Sequence, residues 1–120
     1  RFTTVYGPNA RENMLIPKIL RNDVEFLNVN HSRDFIHVDD IILSIDTVMS
    51  KPITGIIDVG TGVSNKLIDI AQHFKIDYLQ SIGDETERLC NKADTTILNT
   101  LGWKTKVNLY QYIEENRNVN

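Results

Sequence analysis

The sequence predicts an α/β fold in which helices pack on a small sheet. Short runs of β-branched and aromatic residues alternate with segments whose apolar residues recur at helical spacing. Clusters of Gly, Pro, Asn and Asp separate these segments, and no internal repeat interrupts the alternation. The 120 residues, 41% hydrophobic and 24% charged, suit one domain with a single core, and the strands are too few for a complete doubly wound domain.

The first third of the chain contains three predicted strands and one predicted helix. Residues 2–6 are β-branched and aromatic and end in a turn at Gly7. Apolar residues at helical spacing follow, and Pro17 favours a helix that begins near it, because proline suits a first helical turn. Residues 24–29 and 33–38 are two further strand-like runs, separated by a polar loop.

The remaining elements continue the alternation. Asp39 stands where an N-cap belongs, ahead of a helix with one apolar face that runs to Met49. Residues 56–59 predict a short buried strand, and residues 76–79 a further one. Between them lies a helix whose inward-facing residues are Leu67, Ile70, Ala71 and Phe74. Two short helices close the chain, one from Asp94 to Gly102 and one that holds Leu109, Tyr112 and Ile113.

The charge and hydropathy of the chain exclude two classes of partner. Thirteen Lys and Arg residues against 16 Asp and Glu residues give a net charge of -3, which offers no electrostatic reason to expect nucleic acid, whose binders usually carry a basic face. A local basic pocket for one phosphorylated ligand remains compatible with this balance. No apolar run approaches the roughly 18 residues that cross a bilayer, so we expect no membrane insertion.

The cysteine content and the start of the chain add two expectations. Cys90 is the only cysteine, which excludes an intrachain disulfide and favours a reducing compartment, the cytoplasm. The chain begins at Arg1, without Met and within an apparent strand, so we expect that further sequence precedes it.

A glycine turn at residues 60–62 follows a predicted strand and precedes a helix, which is the setting of a G-x-G-x-x-G pyrophosphate loop. Asn65 stands where that loop has its third glycine, and no acidic ribose ligand follows at the usual distance. We therefore interpret the segment as a tight turn in which Ser64 is the N-cap of the next helix.

The histidines, the cysteine and the paired aspartates do not indicate a metal site or an acid–base pair. No second histidine lies at zinc-like spacing from His37, which we interpret as a strand residue, and His73 as a helix-surface residue. Cys90 has no basic partner nearby in the sequence, which disfavours a catalytic thiol. Asp39 and Asp40 are adjacent at a helix start, which favours capping over catalysis.

Arg33 has two interpretations that its local chemistry leaves open. It follows a polar loop and precedes an apolar strand, where a guanidinium can present two parallel N–H groups to phosphate oxygens. A surface salt bridge of Arg33 agrees equally well with the sequence.

Several segments resemble, in the same order, motifs of the extended short-chain dehydrogenase/reductases, which are NAD-dependent sugar-nucleotide epimerases and dehydratases. The segments are Arg1-Phe2-Thr3-Thr4-Val5-Tyr6-Gly7-Pro8 for R-x-x-N-V-Y-G-P, Leu15-Ile16-Pro17 for L-I-P, Arg33-Asp34-Phe35-Ile36-His37-Val38-Asp39-Asp40 for R-D-F-I-H-V-D-D, Asp58-Val59-Gly60-Thr61-Gly62 for N-V-G-T-G, and Leu101-Gly102-Trp103 for L-G-W. Together they span almost the whole chain.

The resemblance implies that residues 1–120 form the C-terminal, nucleotide-sugar-binding portion of an extended Rossmann-type enzyme, whose N-terminal NAD-binding Rossmann half is not in this chain. The family's T-G-x-x-G-x-x-G loop and Y-x-x-x-K pair, which provide the cofactor site and the proton acceptor, do not occur in the sequence. We therefore assign no catalytic residue and no metal, and we expect the chain alone to be inactive.

Carried over residue by residue, the resemblance places Arg33 on the diphosphate and so favours its phosphate-binding interpretation. Thr4 takes the place of a substrate-contacting Asn. Phe26 would pack on the nucleotide base and Leu15 would contact the nucleotide, although at these spacings both also fit a core. Asp84 would accept a hydrogen bond from a ribose hydroxyl.

The resemblance assigns fewer residues to the cofactor than to the substrate. Phe2 and Thr3 match positions that line the nicotinamide of NAD. Ser81 stands where an Arg often grips the diphosphate, and Arg88 is the candidate to replace it.

The expected function is that of the substrate-binding part of an NAD-dependent nucleotide-sugar epimerase or dehydratase that acts through a 4-keto sugar, and the complete enzyme is expected to be a homodimer. Two alternatives remain: a stand-alone module that binds nucleotide-diphosphate sugars, and a half-enzyme that joins a separately encoded Rossmann partner. An exposed apolar face would favour a partner over an independent module.

Overall fold

The computed structural model describes residues 1–51, 54–81 and 91–117. Strands and helices alternate through this part of the chain, as the sequence predicts. The elements are β1 (Thr4–Tyr6), α1 (Leu15–Leu20), β2 (Phe26–Asn28), β3 (Ser32–Arg33), β4 (Phe35–His37), α2 (Val38–Met49), β5 (Asn65–Lys66), α3 (Leu67–His73), β6 (Leu79–Ser81), α4 (Thr96–Thr100) and α5 (Leu109–Asn116). No helix of the described residues is both long enough and apolar enough to cross a membrane.

The described strands form three short two-stranded sheets. β1 runs parallel to β4, with Thr4 opposite Phe35, and β2 runs parallel to β6. β3 and β5 are antiparallel, with Arg33 opposite Asn65. A parallel bridge joins Phe2 to Val59 just before β1. The α/β class with helices on small, mostly parallel sheets is therefore confirmed.

Two groups of buried apolar side chains hold these elements together. One lies among α1, α3, α5 and the neighbouring strands and contains Tyr6, Ile16, Ile19, Leu27, Phe35, Leu67, Ile70, Ala71, Phe74, Leu109 and Ile113. The other lies beneath α2 and α4 and contains Ile36, Ile41, Val59, Leu98 and Trp103. All four residues predicted to face inward from α3 and its end are buried, as are Leu109 and Ile113 of α5.

Asp40 joins α2 to the segment that leads into α5. Its buried carboxylate accepts hydrogen bonds from the main-chain N–H groups of Lys106 and Val107, at 3.0 and 3.2 Å. The indole N–H of Trp103 donates to the main-chain oxygen of Asp40 at 3.0 Å. The carboxylate of Asp40 therefore stabilises a contact between distant segments, whereas a capping role was expected.

Three predicted helix starts differ from the observed ones. α1 begins at Leu15, before Pro17, because proline fits any position of a first turn, where its missing N–H has no intrahelical partner. α2 is capped by His37, whose Nδ1 accepts from the N–H of Asp39 at 3.0 Å, so the cap lies two residues before Asp39. α3 has Lys66 at its N-cap position in place of Ser64, since residues 65–66 pair with β3.

Two predicted strands are also corrected. The run over residues 33–38 is divided at Asp34 into β3 and β4, which pair with different strands. In the run over residues 56–59, only Val59 makes a bridge, and the Ile56 side chain is 72% exposed. An apolar run of four residues does not distinguish a buried strand from an apolar surface segment.

The burial of α3 gives a test of the fold. Ile70→Ala removes a fully buried side chain and is expected to lower the free energy of unfolding by about 2–5 kcal/mol. Ile42→Ala truncates an isoleucine of α2 that is 54% exposed and should change it by no more than about 0.5 kcal/mol. Chemical denaturation followed by circular dichroism measures both, and equal effects would contradict this packing.

Candidate functional site

The side chain of Asp34 is fully buried, and its carboxylate accepts four hydrogen bonds. Oδ1 accepts from the main-chain N–H and the hydroxyl of Thr61, at 2.9 and 2.6 Å. Oδ2 accepts from the N–H groups of Gly62 and Ala93, at 2.9 and 3.1 Å. Asp34 is not a surface partner for the Arg33 guanidinium, because its carboxylate lies inside the protein on three main-chain N–H groups and one hydroxyl.

The glycine turn at residues 60–62 is shaped around that carboxylate. A Cβ at Gly60 would lie 2.8 Å from Oδ2 of Asp34 and 2.7 Å from the Cβ of Ala93, so only glycine allows this approach. Gly62 has a φ of +79°, which side-chain-bearing residues rarely adopt. The interpretation as a tight turn is confirmed, and its N–H groups bind an aspartate of the chain itself where a dinucleotide loop would bind a phosphate.

The main chain of Asp34 is held as firmly as its side chain. Its carbonyl oxygen accepts from the N–H of Thr4 at 3.0 Å, and its own N–H donates to Oδ1 of Asn91 at 2.7 Å. The side-chain amide of Asn91 then donates to Oγ1 of Thr4 at 3.2 Å. β1, the start of β4, the glycine turn and the segment at Asn91 therefore meet at one residue.

A cavity of about 190 Å³ lies beside this junction. We call it the substrate cavity. Three residues that the resemblance assigns to the nucleotide sugar line it together, namely Thr4, Leu15 and Arg33. Asn28 and the buried His31 also line it. The cavity therefore combines apolar contact from α1 with a positive charge and several hydrogen-bonding groups.

The guanidinium of Arg33 is supported by its own loop. Its Nη1 donates to the main-chain oxygen of Ser32 at 2.8 Å, and its Nη2 lies 3.1 Å from Nδ1 of His31. For Nδ1 to accept this hydrogen bond, the proton of a neutral His31 ring must be on Nε2. A half-buried guanidinium held in this way is partly preorganised, which lowers the side-chain entropy lost on binding an anion.

One described residue among those predicted to bind the substrate, Phe26, does not line this cavity. Phe26 begins β2 with 59% of its surface exposed, and Asn28 of the same strand reaches the cavity in its place. This exposure excludes the alternative of Phe26 as a core residue, while Leu15 both packs against the core and lines the cavity. Asp84 and Arg88 lie outside the described residues, as does Cys90.

Phe2 and Thr3 line a second cavity, of about 390 Å³. We call it the cofactor-side cavity. Its other walls include Arg1, Asp58 and Asn91. Within the part of the chain that the structure describes, the buried hydroxyl of Thr3 has no hydrogen-bond partner. Neighbouring residues of an extended segment point to opposite sides, which explains why Thr3 and Thr4 reach different cavities.

The tyrosines with altered acidity are unsuited to accept a proton. Burial, followed by the nearby charge of Asp40, raises the pKa of Tyr6 far above its ordinary value. Burial also raises the pKa of Tyr110 and of Tyr112. A tyrosinate base requires a shift in the opposite direction, so these three side chains stay protonated near neutral pH.

The histidines have structural contacts. His37 caps α2 and makes edge contacts with Tyr6 and Tyr112, with ring centroids 5.2 and 5.1 Å apart. His73 ends α3, half exposed, and its ring packs on Phe74 and Tyr110. Within residues 1–51, 54–81 and 91–117, no three His, Cys, Asp or Glu side chains are grouped so that they could hold a metal ion.

No protein-family model and no curated protein sequence matches the chain. Its fold, however, matches many solved structures. MoeE5, solved with UDP-glucuronic acid and NAD, superposes with a TM-score of 0.81 at 20% identity over 98% of this chain. A UDP-N-acetylglucosamine 4-epimerase from Methanobrevibacter ruminantium M1 and a UDP-glucuronic acid 4-epimerase from Bacillus cereus each give 0.80 over 97% of the chain, at 22% and 23% identity.

These similarities confirm the predicted fold, which is that of part of the sugar-nucleotide enzymes of the extended short-chain dehydrogenase/reductase type. The chain spans less than half the length of these structures, since it covers 44%, 43% and 42% of the three.

Sequence reasoning missed three residues that shape the site: Asn28, His31 and Asn91. Asn28 and Asn91 belong to none of the motifs, and the contacts of Asn91 with Asp34 and Thr4 join residues 57 and 87 positions apart. His31 had a usable signal, because an imidazole two residues before an Arg can accept from its guanidinium. Asp34 was noticed only as a neighbour of Arg33.

Asp34→Asn tests the junction. Whichever way the new amide faces, its NH₂ meets a main-chain N–H, so at least one buried donor loses its acceptor. We expect the free energy of unfolding to fall by about 2–4 kcal/mol, measured by urea denaturation. Asp46→Asn removes the same charge from the exposed side of α2 and serves as the control. Equal stability of the two variants would contradict the role given to Asp34.

Proposed function

We propose that this chain is the substrate-binding part of an NAD-dependent nucleotide-sugar epimerase or dehydratase. The observation that carries the proposal is the substrate cavity, which brings together Thr4, Leu15 and Arg33. These residues come from three separate segments that the family resemblance independently assigns to the nucleotide sugar. The similar structures contain UDP-glucuronic acid in MoeE5 and in the Bacillus cereus enzyme, which supports a nucleotide-diphosphate sugar as the ligand class.

The chemistry of the cavity suits such a ligand. A diphosphate carries negative charge and many acceptor oxygens, and the Arg33 guanidinium offers N–H donors in a planar fork. The apolar side chain of Leu15 gives contact surface for the uncharged part of the ligand. By the resemblance Phe26 would reach the nucleotide base, and its exposed ring at the start of β2 is free of core packing. Asp84 keeps its proposed role towards the ribose.

NAD is the cofactor of the proposed complete enzyme, and Phe2 and Thr3 are the residues of this chain that would hold its nicotinamide end. They fit that role because Phe2 is 55% exposed at the mouth of the cofactor-side cavity. The Thr3 hydroxyl, buried and without a partner in the described residues, agrees with a site completed by another group. When bound, NAD accepts a hydride from the sugar and returns it later in the reaction.

In this mechanism the chain binds and orients the substrate, and the proton acceptor comes from elsewhere. Arg33 holds the diphosphate, and Thr4, fixed through Asp34 and Asn91, contacts the substrate near it. The sugar would then be oxidised at C4 to a ketone, which is epimerised, dehydrated or reduced. The raised pKa values of Tyr6, Tyr110 and Tyr112 agree with a base supplied by the N-terminal half.

One surface supports a further half over a stand-alone module. Along α2, Ile42, Ile45 and Met49 are exposed, and Met49 is 81% exposed. A groove of about 250 Å³ between α2 and the segment around Ile57 is lined almost wholly by apolar residues and reaches Phe2 at the edge of the cofactor-side cavity. An apolar surface of this kind is typical of an interface. A separately encoded half, the cytoplasmic location and the homodimer stay predictions.

Arg33→Ala tests the proposed ligand. In the complete protein the loss of the guanidinium is expected to weaken binding of a nucleoside diphosphate by about 1.5–3 kcal/mol, because a hydrogen-bonded charge is removed from the cavity. Arg33→Lys keeps the charge but loses the fork, so its effect should be intermediate. Titration calorimetry against uridine, thymidine, cytidine and guanosine diphosphates measures the change.

The control for this series is Lys104→Ala, which removes one positive charge from an exposed position outside both cavities. It should leave affinity unchanged. If Arg33→Ala also left the affinity for the nucleoside diphosphate unchanged, the assignment of Arg33 to the diphosphate would be contradicted.

The proposed separation of substrate binding in this chain from proton abstraction in another half gives a second test. The purified 120-residue chain is expected to bind nucleotide-diphosphate sugars but not to convert them with NAD, because it lacks the Y-x-x-x-K pair. Product formation is followed by liquid chromatography and mass spectrometry over the same four nucleotide classes. Turnover by this chain alone would refute the proposal that the base lies in another half.

A further inference from the structure

We infer that Asn91 is a positioning residue that fixes the Thr4 hydroxyl as a hydrogen-bond donor to an oxygen of the ligand in the substrate cavity. This inference rests on the function proposed above and deepens it. Two features of the structure carry it: the end of the Asn91 amide that faces Thr4, and the direction open to the single hydroxyl proton of Thr4.

The orientation of the Asn91 amide is determined by a main-chain group. The N–H of Asp34 can only donate, and it lies 2.7 Å from the outer atom of one arm of the amide, which must therefore be the oxygen. The other arm, 3.2 Å from Oγ1 of Thr4, is then the NH₂ group. A flipped amide would set two donors against each other at 2.7 Å, so this assignment has no competitor.

The hydroxyl of Thr4 consequently acts as an acceptor towards Asn91. A hydroxyl carries one proton, and that proton must point away from a group that is already donating to its oxygen. In the described part of the chain Thr4 Oγ1 donates no hydrogen bond. Thr4 lines the substrate cavity, so a ligand there can supply the missing acceptor.

The main chain on both sides keeps this geometry rigid. The N–H of Thr4 is bonded to the carbonyl oxygen of Asp34, and Asp34 is anchored by its four carboxylate bonds. Asn91 is attached to that same residue. Since neither partner can drift without breaking buried hydrogen bonds, the donor direction of Thr4 is built into the fold.

The consequence is selectivity for an acceptor. The related motif has Asn at this position, and an amide can both donate and accept. The Thr4 oxygen uses one of its two lone pairs to accept from Asn91, which leaves its O–H to donate into the cavity, and Arg33 in the same cavity offers donors and no acceptor. The matching ligand atom is an acceptor oxygen, either on the diphosphate or on the sugar, and the experiment separates these two sources.

The test is a double-mutant cycle in the complete protein with Thr4→Val and Asn91→Asp. The introduced carboxylate keeps an acceptor for the N–H of Asp34, but it replaces the NH₂ group and draws the Thr4 proton away from the cavity. Affinities are measured by calorimetry for the best-binding nucleoside diphosphate and for its nucleotide-diphosphate sugar. Thermal unfolding of each variant confirms that it is folded, and Thr4→Ser, which keeps the hydroxyl, is the matched control.

We expect Thr4→Val to weaken binding roughly three- to tenfold, as for one neutral hydrogen bond, and Thr4→Ser to bind as the unaltered protein does. In the otherwise unaltered protein, Asn91→Asp should weaken binding by at least the same factor as Thr4→Val. When Thr4 is already Val, the same Asn91→Asp change should weaken binding by a smaller factor, because only the added negative charge then acts on the ligand. A loss for both ligands places the acceptor on the diphosphate, and a loss for the sugar nucleotide alone places it on the sugar.

Two results would overturn the inference while leaving the proposed function intact. One is unchanged affinity in Thr4→Val, and the other is a pair of losses that multiply independently in the double variant, in each case with binding still dependent on Arg33. Absence of any nucleotide or sugar-nucleotide binding by the unaltered protein would overturn the inference and the proposed function together.

Discussion

The buried carboxylate of Asp34 is the interaction on which the site depends. A charged group without solvent is stable only where every lone pair is matched, and here the donors come from the glycine turn and from Ala93. That requirement determines the glycine at position 60, the path of the chain at residue 93 and the break between β3 and β4. The two cavities are then formed around a junction that has little freedom to move.

Arg33 and Asp34 illustrate how adjacent residues of opposite charge can serve opposite purposes. The negative charge of the Asp34 carboxylate is stabilised by main-chain N–H dipoles inside the protein, so this carboxylate does not compete for the guanidinium of its neighbour. Arg33 is oriented by a carbonyl oxygen and an imidazole, neither of which carries a negative charge. A chain with a net charge of -3 can thus maintain a locally positive cavity for an anionic ligand.

The sequence predicted the fold class and the order of most elements, because those features are recorded in local patterns. The resemblance assigned Thr4, Leu15 and Arg33 to the substrate, and the structure places all three along one cavity, while their role stays a prediction. The sequence did not predict the contacts of Asp34, which depend on main-chain donors far away in the chain. Main-chain N–H groups occur in almost every residue type, so they leave no signature in the sequence. The His37 cap was missed for a related reason, as imidazole is not among the usual capping side chains. The place of Phe26 outside the substrate cavity was also not predicted, because a resemblance assigns a role to a residue but not its distance from the rest of the site.

The junction at Asp34 also has a consequence for how the protein acquires its binding competence. The partners of its side chain lie 27, 28 and 59 residues further along the chain, and the Asn91–Thr4 bond joins residues 87 apart. Contacts of such sequence separation close late in folding, because the entropy of the long intervening loops must be lost first. On a ribosome the junction around Asp34 therefore cannot be completed until residues 91–93 have emerged. The proposed ligand binding would consequently depend on contacts between distant segments and not on the R-D-F motif alone.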